Sequence, residues 1–276
     1  MNNSYVFRKF KNKFFFILCV FCVVIAVIPL LSILFEVISR GAPHLSFQFL
    51  TNDALHGGIG PAIQGTLILI GLTSLIGVPV GVLSGVYLSE FGDNRYASFL
   101  RTVNDVLTEF PSIVVGITAY SVIVIGIIGS YSPIAGAIAL SIMLIPIVAR
   151  TTEESLKLVP NSVREASLAL GIHKWKTTLR IVIPAAKSGV ITGILLSIAR
   201  IAGETAPILL TILGSNYFFR GFNSSMDALP LRIFRDARWD DPRVQAEAWG
   251  VALILILIVL SLNIVVRLAA RGRLRR

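Results

Sequence analysis

Arg200 and Glu204 stand four residues apart inside an apolar stretch of membrane-crossing length. Guanidinium stays protonated, and its planar fork makes paired hydrogen bonds to carboxylates and to phosphate-like oxygens. In a helix, a carboxylate at i+4 falls on the same face and relieves part of the cost of holding that charge near mid-membrane. The pair therefore either fixes helix assembly or lines a route for an anionic solute, without separating phosphate from sulfate. Gly203 leaves space beside it, Thr205 offers a hydroxyl, and Pro207 breaks the helix nearby, freeing backbone carbonyls toward a cavity. A second acidic residue, Glu165, opens the run EASLALG in a basic loop that ends at Pro184.

The segments that must carry these residues are overwhelmingly apolar. Of 276 residues, 55% are hydrophobic and only 14% charged, too greasy for a soluble domain of this size. The stretches are long enough for helices crossing a hydrocarbon core, and they lack the strict alternation of a transmembrane barrel. The chain reads as an all-α membrane protein with six spans at about 14–38, 62–88, 107–128, 132–149, 190–213 and 247–267. Spans three and four are separated only by GSY and are open to being one broken unit. The net charge of +10 lies mostly in short connectors, which argues for a membrane protein and against nucleic-acid binding. Basic residues concentrate in the N-terminal tail, after spans two and four, and in the C-terminal tail, so positive-inside bias puts both termini in the cytoplasm. Cys19 and Cys22 both fall in span one and read as small buried hydrophobes, with no disulfide or metal site.

The loop over 150–189 has helical signals of its own. Ser162 and Glu165 fit a capping box, with Pro160 and Asn161 as boundary residues. Gly171 ends or bends this short helix, and a second segment, HKWKTTLRIVI, is expected to stop at Pro184. So short a helix needs support from the membrane spans or another protein. It is either a lipid-surface helix, with Trp175 as anchor, or a rigid knob received by a soluble partner. Glu109, Pro111 and Ser112 sit where span three is expected to begin, as a favourable helix-dipole charge or as gate or packing residues. Between spans five and six, MDALPLRIF either covers the outer mouth of a pathway or touches a delivery protein, or is a solvent-facing connector.

EASLALG followed by RIVIP resembles the EAA loop of bacterial binding-protein-dependent ABC importer permeases. The match places the motif's glutamate at Glu165, its next alanine at Ala166, its glycine at Gly171 and its terminating proline at Pro184, with Ser167 in place of the second alanine. In span five, ARIAGETAPILLT is similar to the corresponding stretch of the PstA-type phosphate permeases, with the family's charged positions at Arg200 and Glu204. The resemblance implies a type I (MetI-like) architecture with a cytoplasmic tail over 1–13, a permease domain over 14–267, a coupling loop over 150–189, and a basic tail over 268–276. It also implies a multi-pass subunit of the bacterial cytoplasmic membrane that moves inorganic phosphate with a PstC-type permease. Two PstB-type ATPases would use ATP and magnesium, and a PstS-type binding protein would deliver substrate. The chain has no GxxxxGK[ST] phosphate cradle and is expected to bind no cofactor and catalyse no hydrolysis. Sulfate, molybdate or phosphonate permeases and a non-transporting assembly scaffold are the competing readings.

Overall fold

The computed structural model describes residues 3–272; Arg273, Arg275 and Arg276 of the expected basic tail lie outside them. The described residues form an all-helical protein. Five helices are long and apolar enough to cross a membrane, and counting the bent pair Arg95–Glu109 and Ser112–Ile128 as one span makes six.

The helix α1 runs over Asn3–Gly41, and a short α2 follows at Phe47–Thr51. The second span is α3, Gly60–Glu90, and α6 is Pro133–Lys157. Gly77 and Gly81 of α3 face α6 so closely that a Cβ would stand 2.8 Å from Leu144 and 2.7 Å from Val148. Gly85, one turn further, meets the Ala149 carbonyl and Thr152. Four-residue spacing places all three glycines on one stripe, which lets the two backbones interlock. On another side of α6, Thr151 and Ser155 fill the space left by Gly193 and Gly189 of α9, Ile183–Ala202. These three helices form the block against which the rest is organised. By contrast, α1 is almost wholly exposed and meets the body mainly where Gly41 packs on Trp249 of α12, Pro242–Gly272. Cys19 and Cys22 lie on that exposed surface, not in a protein interior.

Span three departs from the expected 107–128. The chain first forms α4, Arg95–Glu109, opened by Asn94, whose side chain accepts from the Ala97 N–H at 2.8 Å. Pro111 disfavours the helical conformation at the residue before it. Phe110 is accordingly extended (φ −63°, ψ 131°), and the chain turns by 99° into α5, Ser112–Ala119, continued by a wider π-helical turn over Tyr120–Ile128. Glu109 thus ends α4 instead of opening the span. Spans three and four are separate helices, divided at Gly129, whose φ of +76° suits the missing side chain.

Pro184 does not stop its helix. From α8, Lys174–Thr177, the chain passes through a π-helical turn at Thr178–Val182 straight into α9. The proline lacks an N–H and crowds the preceding turn. The wider turn just ahead absorbs that crowding without ending the helix.

Candidate functional site

Span five breaks where the polar residues cluster. Helix α9 ends at Ala202, Gly203 and Glu204 form a tight turn, and α10 begins again at Ala206 and runs to Thr211. Pro207 sits in the first turn of α10, where a missing N–H costs nothing, so the break expected beside it is present and the proline opens the helix that follows. It is buried against α5, where a Cβ on Gly116 would lie 2.9 Å from its Cα. Arg200 and Glu204 therefore do not share a continuous helix face. Their nearest approach is 3.9 Å, beyond a hydrogen bond. The Arg200 side chain is 55% exposed on the open side of α9, whereas that of Glu204 is 19% exposed. Glu204 borders a crevice of about 10 Å³, room for one water, formed with Thr66, Leu69, Leu140 and Pro230. Among the described residues, neither the Arg200 guanidinium nor the Thr205 hydroxyl has a hydrogen-bond partner. Thr66, Leu69 and Ile70, which line that crevice with Glu204, lie six to ten residues, or about 9–15 Å, from the start of α3. Glu204 thus sits toward the end of α3 remote from the 150–189 loop.

The loop itself is shorter than expected because α6 continues to Lys157. Its helix α7 covers Asn161–Ala169, with Pro160 at the boundary and no side-chain cap. Ser162 lies inside the helix, so the capping box does not form. The other end is closely specified. Gly171 takes φ +75°, its N–H donates to the Leu168 carbonyl, and the Ile172 N–H donates to that of Ser167. These paired bonds make a Schellman stop, which needs a left-handed residue at that place. Glu165 and Ala166 are exposed, as are Leu168 and, at 80%, Leu170. Ser167 is buried, and its hydroxyl meets that of Thr177 at 2.8 Å, joining α7 to the helix that leads to Arg200.

Sequence reasoning missed a set of charged residues beneath this loop. Arg164 of α7 holds Glu90, the last residue of α3, with Nη2 at 2.7 Å and Nε at 3.2 Å from both carboxylate oxygens. Its Nη2 also donates to the Leu156 carbonyl at 2.9 Å and its Nη1 to that of Val159 at 2.5 Å. Beside it, Arg101 donates to Glu153 at 2.9 Å and to the Leu88 carbonyl at 2.7 Å, and Lys157 reaches Glu153 at 2.6 Å. One signal was present: a glutamate ending a long helix opposes the dipole, so a cation must meet it. Glu109, Pro111 and Ser112 form the exposed or half-buried elbow between α4 and α5.

At the opposite end, MDALPLRIF is part of the folded body, not a solvent-facing strap. Ala228, Leu229 and Leu231 are buried, and α11, Leu229–Asp236, packs on α3 and α12. Asp227 is 1% exposed, and neither of its carboxylate oxygens has a hydrogen-bond partner among the described residues; Arg235 stands 3.5 Å away. Burial pushes its carboxyl up to about 6, against the pull of Arg235 and Arg232.

Comparison with known proteins agrees with this arrangement. Residues 77–275 match the family described as binding-protein-dependent transport system inner membrane component. A protein of Haemophilus influenzae named phosphate transport system permease protein PstA is 41% identical over 97% of this chain and 96% of its own length. One of the same name from Pasteurella multocida is 39% identical over 97% of both. Among solved structures, a bacterial ABC transporter that imports the acidic polysaccharide alginate superposes with a TM-score of 0.66 over 95% of this chain and 98% of its own, at 16% identity. The inward-facing MetNI methionine ABC transporter gives 0.62 over 83% and 99%, at 17% identity. This chain is a multi-pass membrane protein that belongs to the binding-protein-dependent transport system inner membrane components and, among them, to the PstA permeases.

Proposed function

We propose that this chain is one of two permease subunits in an ATP-driven importer of inorganic phosphate. The observation that carries the substrate is the near-full-length similarity to proteins named for phosphate transport. Arg200 adds the chemistry. A guanidinium on the open side of the bundle, 3.9 Å from its nearest carboxylate, has its paired donors available to an oxyanion. The Thr205 hydroxyl is available at the same break. A PstC-type permease facing this side would complete the route.

An anion entering a low-dielectric passage loses hydration, and a fixed guanidinium offsets part of that loss. Release requires that the offset stay partial. Glu204, close enough to reduce the local positive charge but not bonded to Arg200, serves that end. Gly203 keeps the turn free of side-chain bulk, and Pro207 anchors the restarted helix against α5.

Coupling falls to the exposed surface of α7. Glu165, Ala166, Leu168 and Leu170 form a knob for a soluble ATPase, ended by Gly171, while Ser167 faces inward. Pro184 belongs to the continuous helix behind it. Two PstB-type ATPases would bind and hydrolyse magnesium ATP. This chain would bind no cofactor and hydrolyse nothing, and a PstS-type protein would deliver phosphate at the opposite face. The distribution of basic residues puts the α7 side and both termini in the cytoplasm.

The test is uptake of radiolabelled phosphate into vesicles carrying the complete complex, with sulfate measured in parallel. Phosphate-selective, ATP-dependent uptake supports the reading. Uptake that sulfate, molybdate or a phosphonate suppresses at equal concentration, or no uptake at all, overturns it.

A further inference from the structure

We propose that Arg164 is a positioning residue that makes the coupling helix one mechanical piece with the membrane block, so that ATPase motion reaches the spans undiminished. The proposal rests on the assignment of α7 as the ATPase-facing element.

A single guanidinium ties three elements together. Arg164 belongs to α7, Glu90 closes α3, and the carbonyls of Leu156 and Val159 belong to the end of α6 and the residues just after it. The guanidinium's five N–H donors let it meet the Leu156 carbonyl in the last turn of α6, that of Val159 beyond it, and the Glu90 carboxylate at once. Arg164 and Glu90 side chains are only 18% and 3% exposed, so water does not replace the bond when it opens. Removing one partner from such a buried pair leaves an uncompensated charge. The anchorage is itself rigid, because α3 and α6 interlock through Gly77, Gly81 and Gly85. At the far end of α7, Ser167 and Thr177 bind it to the helix that continues into α9.

Helix α7 has nine residues. Too short to hold its shape in water, it would flex under load if tied only through its flanking chain. With both ends fixed, a push on its exposed side must move α3, α6 and α9 together. None of the clamp atoms is on the exposed side that would meet an ATPase. Losing the clamp therefore separates hydrolysis from transport, where losing the docking surface would abolish association.

The experiment uses the full complex in vesicles and reads ATP hydrolysed per phosphate taken up. Arg164→Gln and Glu90→Gln are expected to co-purify with the ATPases and to hydrolyse ATP. Their uptake should fall about tenfold or more, raising the ratio by the same factor. A second variant removes the ambiguity of misfolding: Glu90→Cys with Arg164→Cys, in a Cys19→Ser, Cys22→Ser background. Bridging the two thiols with a short bifunctional reagent is expected to restore the ratio, whereas a monofunctional reagent leaves it raised. A wild-type ratio in both glutamine variants, or a bridged pair that stays uncoupled, overturns the proposal. Gly171→Trp in parallel distinguishes the underlying assignment. If it leaves ATPase association and uptake intact, α7 is not the docking element, whatever Arg164 does.

Discussion

The two ends of the helical body solve opposite problems. Beneath α7, the buried charges are matched within the chain: Glu90 by Arg164, and Glu153 by Arg101 and Lys157. At the broken span the half-exposed Arg200 and its neighbour Glu204 are not, although Arg232 and Asp236 of α11 pair with each other close by. Arg200 and Glu204 stop short of a hydrogen bond, and the buried Asp227 is met only loosely, by Arg235 at 3.5 Å. A network completed within the chain keeps one geometry, which suits a part that transmits force. An uncommitted guanidinium stays available to something that arrives and departs, which suits a route for an anion. Rigidity at one end and availability at the other are thus written in the same residue types, differently paired.

Arg200→Leu tests that contrast most severely. If the guanidinium serves a passing oxyanion, the variant should assemble with its partners yet lose about a hundred- to thousandfold in phosphate uptake, as when one preorganised anion donor is removed elsewhere. The measurement is uptake normalised to co-purified ATPase. Undiminished uptake refutes the role, and failure to assemble turns Arg200 into a structural residue like Arg164.

Asp227 sharpens the same comparison through pH. Its folded value of about 6 lies above the ordinary 3.8, so the folded state holds the proton more tightly than the unfolded chain does. The resulting stabilisation is complete below about 4 and is lost as pH rises through about 6. The difference corresponds to about 3 kcal/mol between pH 4 and pH 7. Thermal unfolding of the purified complex should show that dependence, and Asp227→Asn should flatten it. Identical slopes for both proteins would mean that a donor from elsewhere satisfies Asp227 in the assembly.

How far these regions were legible in the sequence differs for physical reasons. Long apolar runs announce spans without any tertiary information, so five of the six expected spans fall on long helices, span five only as far as Ala202. The exception is span three, where Pro111 acts on Phe110 and moves the start to Ser112. Proline's effect was legible at Pro207, beside which span five does break, but not at Pro184. At Pro207 it begins a helix, and at Pro184 the π-helical turn lets the helix continue. Gly171 was legible because a left-handed stop after a short helix has a local signature. Arg164 and Glu90 were not, being 74 residues apart, with nothing local to link them. The capping box misled for the converse reason: a local pattern at Ser162 and Glu165 yielded to a helix that starts at Asn161.

The Gly171 stop is itself open to a smaller test. A side chain there meets no neighbour within the chain but must adopt φ +75°. Gly171→Ala should therefore cost about 1–2 kcal/mol from backbone strain alone, and Gly171→Asn less. Gly171→Trp adds bulk on the exposed side. ATPase co-purification that falls for Trp but persists for Ala assigns the glycine to close approach of a partner. An equal fall for both assigns it to the turn.

The smallest expected effect concerns Ser167, which stands where the EAA pattern carries alanine. Its hydroxyl bonds that of Thr177 in a buried site, and Thr177 keeps a weaker contact to the His173 carbonyl at 3.4 Å if the serine is lost. Ser167→Ala therefore removes one neutral hydrogen bond without stranding its partner, about 1 kcal/mol. The Arg164 clamp remains, so uptake and the ATP-to-phosphate ratio should stay near wild type while local hydrogen exchange in α7 rises. Thr177→Val is a different change. It leaves the Ser167 hydroxyl buried without its partner and should cost more than Ser167→Ala in the same exchange measurement. If the two variants were equal, the hydroxyl pair would not be what joins α7 to the helix leading to Arg200, and the connection would rest on the Schellman turn alone.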